Sequence, residues 1–181
     1  MKHSIRQAWH ALVLAGLGAL LLLEPQSAAA ATSEAQVKAA YIYKLASFVR
    51  WPDGAGTAGE FRLCVSGRRD VAAVLQELVR GQRIDDQPVS VLRLDGDGGE
   101  QAKSCRVLFV GHGGQDSTNL LSATETSPVL TICDRSNGTR GCVIEFVMRD
   151  GKVRFALDRA RADRRRLELS AKLVDVAVSA P

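Results

Sequence analysis

Val37-Lys-Ala-Ala-Tyr-Ile-Tyr-Lys-Leu-Ala-Ser-Phe-Val-Arg-Trp-Pro52 is the stretch on which the reading of this chain turns. Val37, Tyr41, Leu45 and Phe48 recur at helical spacing, and Ala40, Ile42 and Val49 widen the stripe. The segment is therefore predicted to be a helix that buries this face. Lys38, Lys44, Ser47 and Arg50 fall outside the stripe. Ser33, with Gln36 three residues on, supplies an N-cap and its N3 partner, and Thr32 is the alternative cap. Pro52 drives Trp51 out of the α region, so the helix is expected to end there and to deliver an indole where the chain turns toward its first strand. Trp51 then serves either as a plug at the core boundary or as a ligand-recognition residue at the rim of a groove.

Upstream of this helix the chain reads as a secretory signal over residues 1–31. Lys2 and Arg6 form the positive region, Ala11 to Leu23 the apolar region, and Ser27-Ala28-Ala29-Ala30-Ala31 the cleavage region, with cleavage expected after Ala30. The apolar run is shorter than the ~20 residues a membrane span needs, and no cysteine follows it to accept a lipid. The product is expected to be exported and soluble, with residues 32–181 forming one domain around one core. Lys and Arg total 24 against 20 Asp and Glu, a balance too even to argue for nucleic acid.

Cys64, Cys105, Cys133 and Cys142 all lie beyond the signal, and an even count in an oxidising compartment reads as two disulfides. Three pairings are open. The turn-rich Arg135-Ser136-Asn137-Gly138 favours Cys133 with Cys142, which leaves Cys64 with Cys105. On the loop-entropy argument the short bridge contributes ~2.7 kcal/mol and the long one ~3.9 kcal/mol.

Between the cysteines, helices and strands alternate. Phe61 to Val65 reads as a buried strand, Asp70 as the cap of a helix through Arg80, and Pro88 to Leu94 as a half-buried strand. Arg106 to Val110 has the continuous apolar character of a strand buried on both faces. It runs into Gly111-His112-Gly113-Gly114, followed by a helix capped at Asp116 or Ser117. Such a loop either binds an anion on its backbone N–H groups or uses glycine only to turn. Pro128 to Cys133 is a further strand. Gly141–Met148 and Lys152–Leu157 flank Asp150-Gly151, the signal of a type I′ hairpin, with Met148 facing Val153, Phe146 facing Phe155 and Ile144 facing Leu157. Asp158 caps an arginine-rich helix and Ser170 a closing one. The fold class expected is α/β: a single domain whose mixed sheet carries a C-terminal antiparallel hairpin and is flanked by helices.

The inventory of reactive groups is thin. His3 and His10 leave with the signal, so His112 stands alone, and G-x-S-x-G, P-loop and zincin motifs are all missing. Paired cysteines leave no nucleophilic thiol. These features argue against an enzyme, and no metal or cofactor is implied. Two binding surfaces remain. The first is a charged face made by Glu145 and Arg154 of the hairpin with Arg161, Arg164 and Arg165, fitted to an acidic partner or anionic lipid. The second is a ligand site at Trp51 or at Gly111, His112 and Gly113.

The order Lys38-Ala-Ala-Tyr-Ile-Tyr43, Phe48-Val-Arg-Trp-Pro52, four cysteines, Val129-Leu-Thr-Ile132, Asp150-Gly-Lys-Val-Arg-Phe155 and Leu169-Ser-Ala-Lys-Leu173 resembles the YfiR-like family. Lys44, Leu45 and Asp158 depart from its pattern, standing where Asn, Phe and Asn are expected. The resemblance implies a periplasmic repressor of an inner-membrane diguanylate cyclase, relieved when an outer-membrane lipoprotein sequesters it. It also implies a homodimer, two intramolecular disulfides that link repression to redox state, and an output in cyclic di-GMP and biofilm formation. A periplasmic small-ligand sensor is the alternative.

Overall fold

The computed structural model describes residues 26–56, 58–96 and 98–178, so most of the proposed signal segment lies outside the described residues. The described residues from 33 to 178 form one compact unit. Six helices are described: α1 (Gln26–Ala46), α2 (Arg69–Leu78), α3 (Gly99–Lys103), α4 (Gln115–Ala123), α5 (Arg159–Arg164) and α6 (Ala171–Val176). The strands are β1 (Val49–Arg50), β2 (Phe61–Ser66), β3 (Arg83–Ile84), β4 (Gln87–Leu94), β5 (Val107–Val110), β6 (Leu130–Asp134), β7 (Ile144–Arg149), β8 (Lys152–Leu157) and β9 (Glu168–Leu169).

The main sheet has the order β3-β4-β2-β5-β6-β7-β8, and β1 pairs with β9 in a separate two-stranded ribbon. From β4 to β7 the strands are parallel, and β3 and β8 add antiparallel edges. The chain leaves β2 toward β4 and then returns to place β5 on the other side of β2. This is the doubly wound arrangement, and it opens a crevice at the carboxyl ends of β2 and β5. Helices α1 and α2 cover the face that holds Phe61, Leu63, Phe109 and Ile132. Helices α3 and α4 cover the face that holds Cys64, Leu108 and Val110. The sheet is thus mixed, with the expected C-terminal hairpin, but its parallel centre was not apparent from the sequence.

Both disulfides form as expected. Cys64–Cys105 ties β2 to the start of β5, and Cys133–Cys142 closes the nine-residue step between β6 and β7. A parallel connection usually takes a dozen residues or more. Here a 3-10 turn over Arg135–Asn137 and Gly138 at φ 80° reverse the chain quickly enough, and the bridge spans the step. The hairpin register agrees at every expected pair, and Asp150 and Gly151 have φ of 51° and 68°, as a type I′ turn requires. Asp158 and Ser170 cap α5 and α6 by accepting from the N–H groups of Arg161 and Leu173.

Several expectations are corrected. Helix α1 does not begin at Ser33 and stops at Ala46, short of Trp51, because Val49 and Arg50 are drawn into pairing with Leu169 and Glu168. Its buried face is rotated from the expected stripe: Ala35, Lys38, Ala39, Ile42, Leu45 and Ala46 are inside, while Val37 and Phe48 are exposed. An inward lysine is what moves the stripe, since apolar periodicity counts it as solvent-facing. Asp70 does not cap α2; it lies inside the first turn and binds Arg68. Gly114, and not Asp116 or Ser117, is the N-cap of α4. The β3–β4 hairpin was missed because Asp85 and Asp86 take φ of 49° and 59° without a glycine to signal the turn.

Candidate functional site

The crevice is built from three loops at the carboxyl ends of neighbouring parallel strands. Gly67 and Arg68 follow β2, Gly111 and His112 follow β5, and Asn137 lies in the turn after β6; together they line a cleft of about 580 Å³. Close packing fixes the loops. The Gly113 N–H donates to Asn137 O at 3.0 Å and Asn137 Nδ2 to Gly111 O at 3.1 Å, so the β5 and β6 loops hold each other. Gly67 sits at φ 89°, and a Cβ built on it would stand 1.8 Å from His112 Nδ1, so the imidazole occupies the space that glycine leaves. A side chain at Gly111 would meet the stem of Arg68 at 2.5 Å.

Beneath the cleft lies a buried ionic cluster. Lys38 of α1 donates to Asp134 Oδ2 at 2.6 Å and to Glu34 Oε1 at 2.5 Å. The Asp134 carboxylate, shut off from water at the end of β6, also accepts from Arg68 at 3.3 Å, Asn137 at 3.0 Å and Ser136 at 2.5 Å. Arg68 reaches back to Glu34 at 3.3 Å and grips Asp70 with two bonds of 2.6 and 2.8 Å. The hydrogen bond from Lys38 holds the Glu34 carboxyl below its usual range against the opposing effect of burial. The fork of Arg68 does the same for Asp70, and the two acids in turn push the guanidinium upward. The cluster ties α1 to the β2, β5 and β6 loops and gives the cleft a rigid floor.

The structure brings Gly111 and His112 to this cleft, leaves Gly113 out of its lining as a bonding partner of Asn137, and places Trp51 elsewhere. Phe61, which opens β2, meets the Trp51 ring edge to face at 5.3 Å, and the Arg106 guanidinium lies over the ring at 5.9 Å. Both neighbours belong to the amino ends of β2 and β5, whereas the glycine loop belongs to the carboxyl ends, so the residues do not form one site. Trp51 is half-buried beside Arg50, Asp163, Arg166 and Glu168, and its Nε1 has no hydrogen-bond partner.

The charged face is likewise rearranged. Arg154 and Arg164 are exposed, and Arg161 pairs with Asp158 at 3.3 Å and Glu125 at 4.0 Å. Glu145 is half-buried, accepting from the Gly141 N–H at 2.8 Å and lying 3.4 Å from Arg135. Val147, which strand alternation sets on the same side of the hairpin as Glu145 and Arg154, is buried. Arg165 corrects the expectation most sharply: it is 1 % exposed and donates to Thr124 O at the end of α4. Helix α5 is too short to keep every arginine outward, and Arg165 forms its inward C-cap. Burial without a bound carboxylate pushes its guanidinium down.

Sequence reasoning missed Glu34, Lys38, Arg68 and Asp134. Glu34 and Lys38 stand at the i,i+4 spacing of an ion pair, and Asp134 ends an otherwise apolar strand, both readable signals. Among the described residues no group of three or more His, Cys, Asp or Glu side chains could hold a metal, and no helix is long and apolar enough to cross a membrane.

Fold and site together define a disulfide-bonded, doubly wound α/β domain with a switch-point cleft. Residues 35–178 match the YfiR/HmsC-like family, and the chain belongs to it. That family is known for periplasmic regulation of diguanylate cyclase signalling. No curated protein matches the chain.

Proposed function

We propose that the chain is a periplasmic repressor. It docks as a homodimer on the periplasmic domain of an inner-membrane diguanylate cyclase, lowers cyclic di-GMP and restrains biofilm formation, until an outer-membrane lipoprotein sequesters it. The observation that carries this reading is the family match over 35–178, a span that includes every strand and both disulfides. Paired cysteines suit an oxidising compartment. Action by binding rather than turnover is supported by the surroundings of His112: its ring rests against Gly67, and the nearby Ser117 hydroxyl is donated to its backbone carbonyl. Arg154 and Arg164 are the arginines of the charged face left to meet an acidic partner, since Glu145, Arg161 and Arg165 are engaged within the fold.

Cross-linking of the tagged chain in its own host, followed by identification of membrane proteins, tests the reading. Recovery of a protein with a diguanylate cyclase domain, together with a rise in cyclic di-GMP on deletion of the gene, is expected. Unchanged cyclic di-GMP would refute repression.

A small-ligand sensor is the second reading, favoured by the position of the Gly67–Arg68–Gly111–His112–Asn137 cleft where doubly wound sheets bind ligands. Thermal stabilisation by a small anion that disappears in His112→Ala is its signature. A panel of anions without effect returns the cleft to a packing role.

A further inference from the structure

One edge of the main sheet is left bare. Strand β3 is two residues long and pairs with β4 at Pro88 and Gln87. The Val89 N–H then donates to Gln82 O at 3.0 Å, on the side away from β2. Backbone direction alternates along a strand, so Val91 and Arg93 also turn their N–H and C=O groups away from β2, and among the described residues nothing pairs with those groups. A bare edge invites another strand unless charge, proline or a covering element guards it. Here Pro88 and Arg93 stand at the two ends, and Val89-Ser-Val-Leu92 between them is uncharged and half-buried.

We propose that β4 pairs antiparallel with β4 of a second copy of this chain, about a twofold axis at Leu92. Outward-pointing residues must face each other, so Val91 meets the second copy's Arg93 and Arg93 its Val91, and the two pairs exchange about four backbone hydrogen bonds. Other registers fit worse. An axis at Val91 sets Arg93 against Val89, whose N–H is already given to Gln82, and an axis at Arg93 sets two arginines directly opposite. With the axis at Leu92, that side chain faces its own copy on the α3 side of the sheet, where it already packs on the apolar cluster, and the Arg93 stem lies along Val91 on the α2 side. The two guanidinium groups are diagonal neighbours, and each brings Asp95 at 3.4 Å to offset its charge. A second copy suits this edge better than a free peptide. Its β4 is already ordered by six paired residues of β2, whereas a peptide must give up the freedom of every residue it lays down for the same few bonds. Pairing also closes both bare edges at once, as a twofold contact does. The inference rests on the homodimer of the proposed function and names its interface.

The test uses the exported chain, whose four native cysteines are paired and lie away from the Val91 and Arg93 side chains on the other face of the sheet or across it. Facing hydrogen-bonded residues have Cα atoms about 5.5 Å apart, within reach of a disulfide. Val91→Cys mixed with Arg93→Cys is therefore expected to give a reducible cross-linked dimer, and either variant alone is not. Val91→Pro removes an outward N–H from each copy and leaves the β2 ladder intact, so it is expected to weaken dimerisation about tenfold or more in analytical ultracentrifugation while the circular dichroism spectrum stays that of the parent. A chain that is monomeric at every concentration overturns both the homodimer and this inference. A stable dimer whose mixed variants do not cross-link, or whose Val91→Pro form dimerises like the parent, overturns the interface and leaves the homodimer standing. Cross-linking by Val91→Cys alone overturns the register. A monomer that holds an extended peptide and loses it in Val91→Pro assigns the edge to a peptide and overturns the pairing.

Discussion

The Lys38 ammonium lies 2.6 Å from Asp134 Oδ2, and neither side chain reaches water. A buried pair of this kind gains little over an apolar pair of the same shape, because two charges must be desolvated to form it. Removing Lys38 is another matter, since Asp134 is then left charged and buried with the longer Arg68 contact as its remaining cation beside Asn137 and Ser136. Lys38→Met is therefore expected to destabilise the domain by roughly 3–5 kcal/mol. Lys38→Met with Asp134→Asn should recover part of that loss, with Arg68 still a partner for the amide. Urea unfolding midpoints of the two variants decide it, and equal midpoints would show that the pair is not coupled.

Acid should loosen the same cluster. Glu34 and Asp70 have folded-state values below their unfolded ones, so each contributes stability above the unfolded carboxylate range and loses it as pH falls through the folded value. Unfolding free energy is expected to be level near neutrality and to decline below about pH 4, where unfolded carboxylates begin to bind protons. Glu34→Gln should flatten that decline while lowering the plateau. A decline as steep in Glu34→Gln as in the parent would assign the acid sensitivity elsewhere.

Much of the fold was legible because it rests on local signals. The Asp150-Gly151 turn fixes the hairpin register, Asp158 and Ser170 cap their helices, and apolar runs mark β5 and β6. The cluster was not, for a physical reason: periodicity sorts residues by transfer cost, and Lys38 and Asp134 escape that cost only by meeting across 96 residues of sequence. Strand order was hidden for a similar reason, since the return of β5 beside β2 is a long-range choice. Of the candidate sites, the glycine loop was legible as a loop through its backbone demands, and its Gly111 and His112 lie at the crevice. Arg165 was misplaced because charge density alone does not say which arginine of a short helix turns inward.

Arg164 and Arg165 are neighbours with opposite expectations. Arg165→Met removes the buried bond to Thr124 O at the end of α4 and leaves that carbonyl without this donor, so a loss of about 1–3 kcal/mol is expected. Arg164→Glu changes an exposed charge and should alter the melting temperature little, while slowing association with an acidic partner at low salt more than at high salt. Thermal unfolding separates the two directly. Comparable losses in both variants would mean that Arg164 also has a structural role.

Gly67 and His112 test the cleft itself. Gly67→Ala meets two penalties: φ 89° strains any side chain, and the new Cβ would lie 1.8 Å from His112 Nδ1. The first penalty, of order 1 kcal/mol or more, belongs to the backbone and persists whatever its neighbour is. The second disappears when the imidazole is removed. Gly67→Ala should therefore be the least stable of three variants, His112→Ala close to the parent, and Gly67→Ala with His112→Ala intermediate. That ordering in thermal unfolding places the imidazole over Gly67 in solution. A double variant no more stable than Gly67→Ala would mean that the ring moves aside at no cost, leaving the histidine wall of the cleft adjustable.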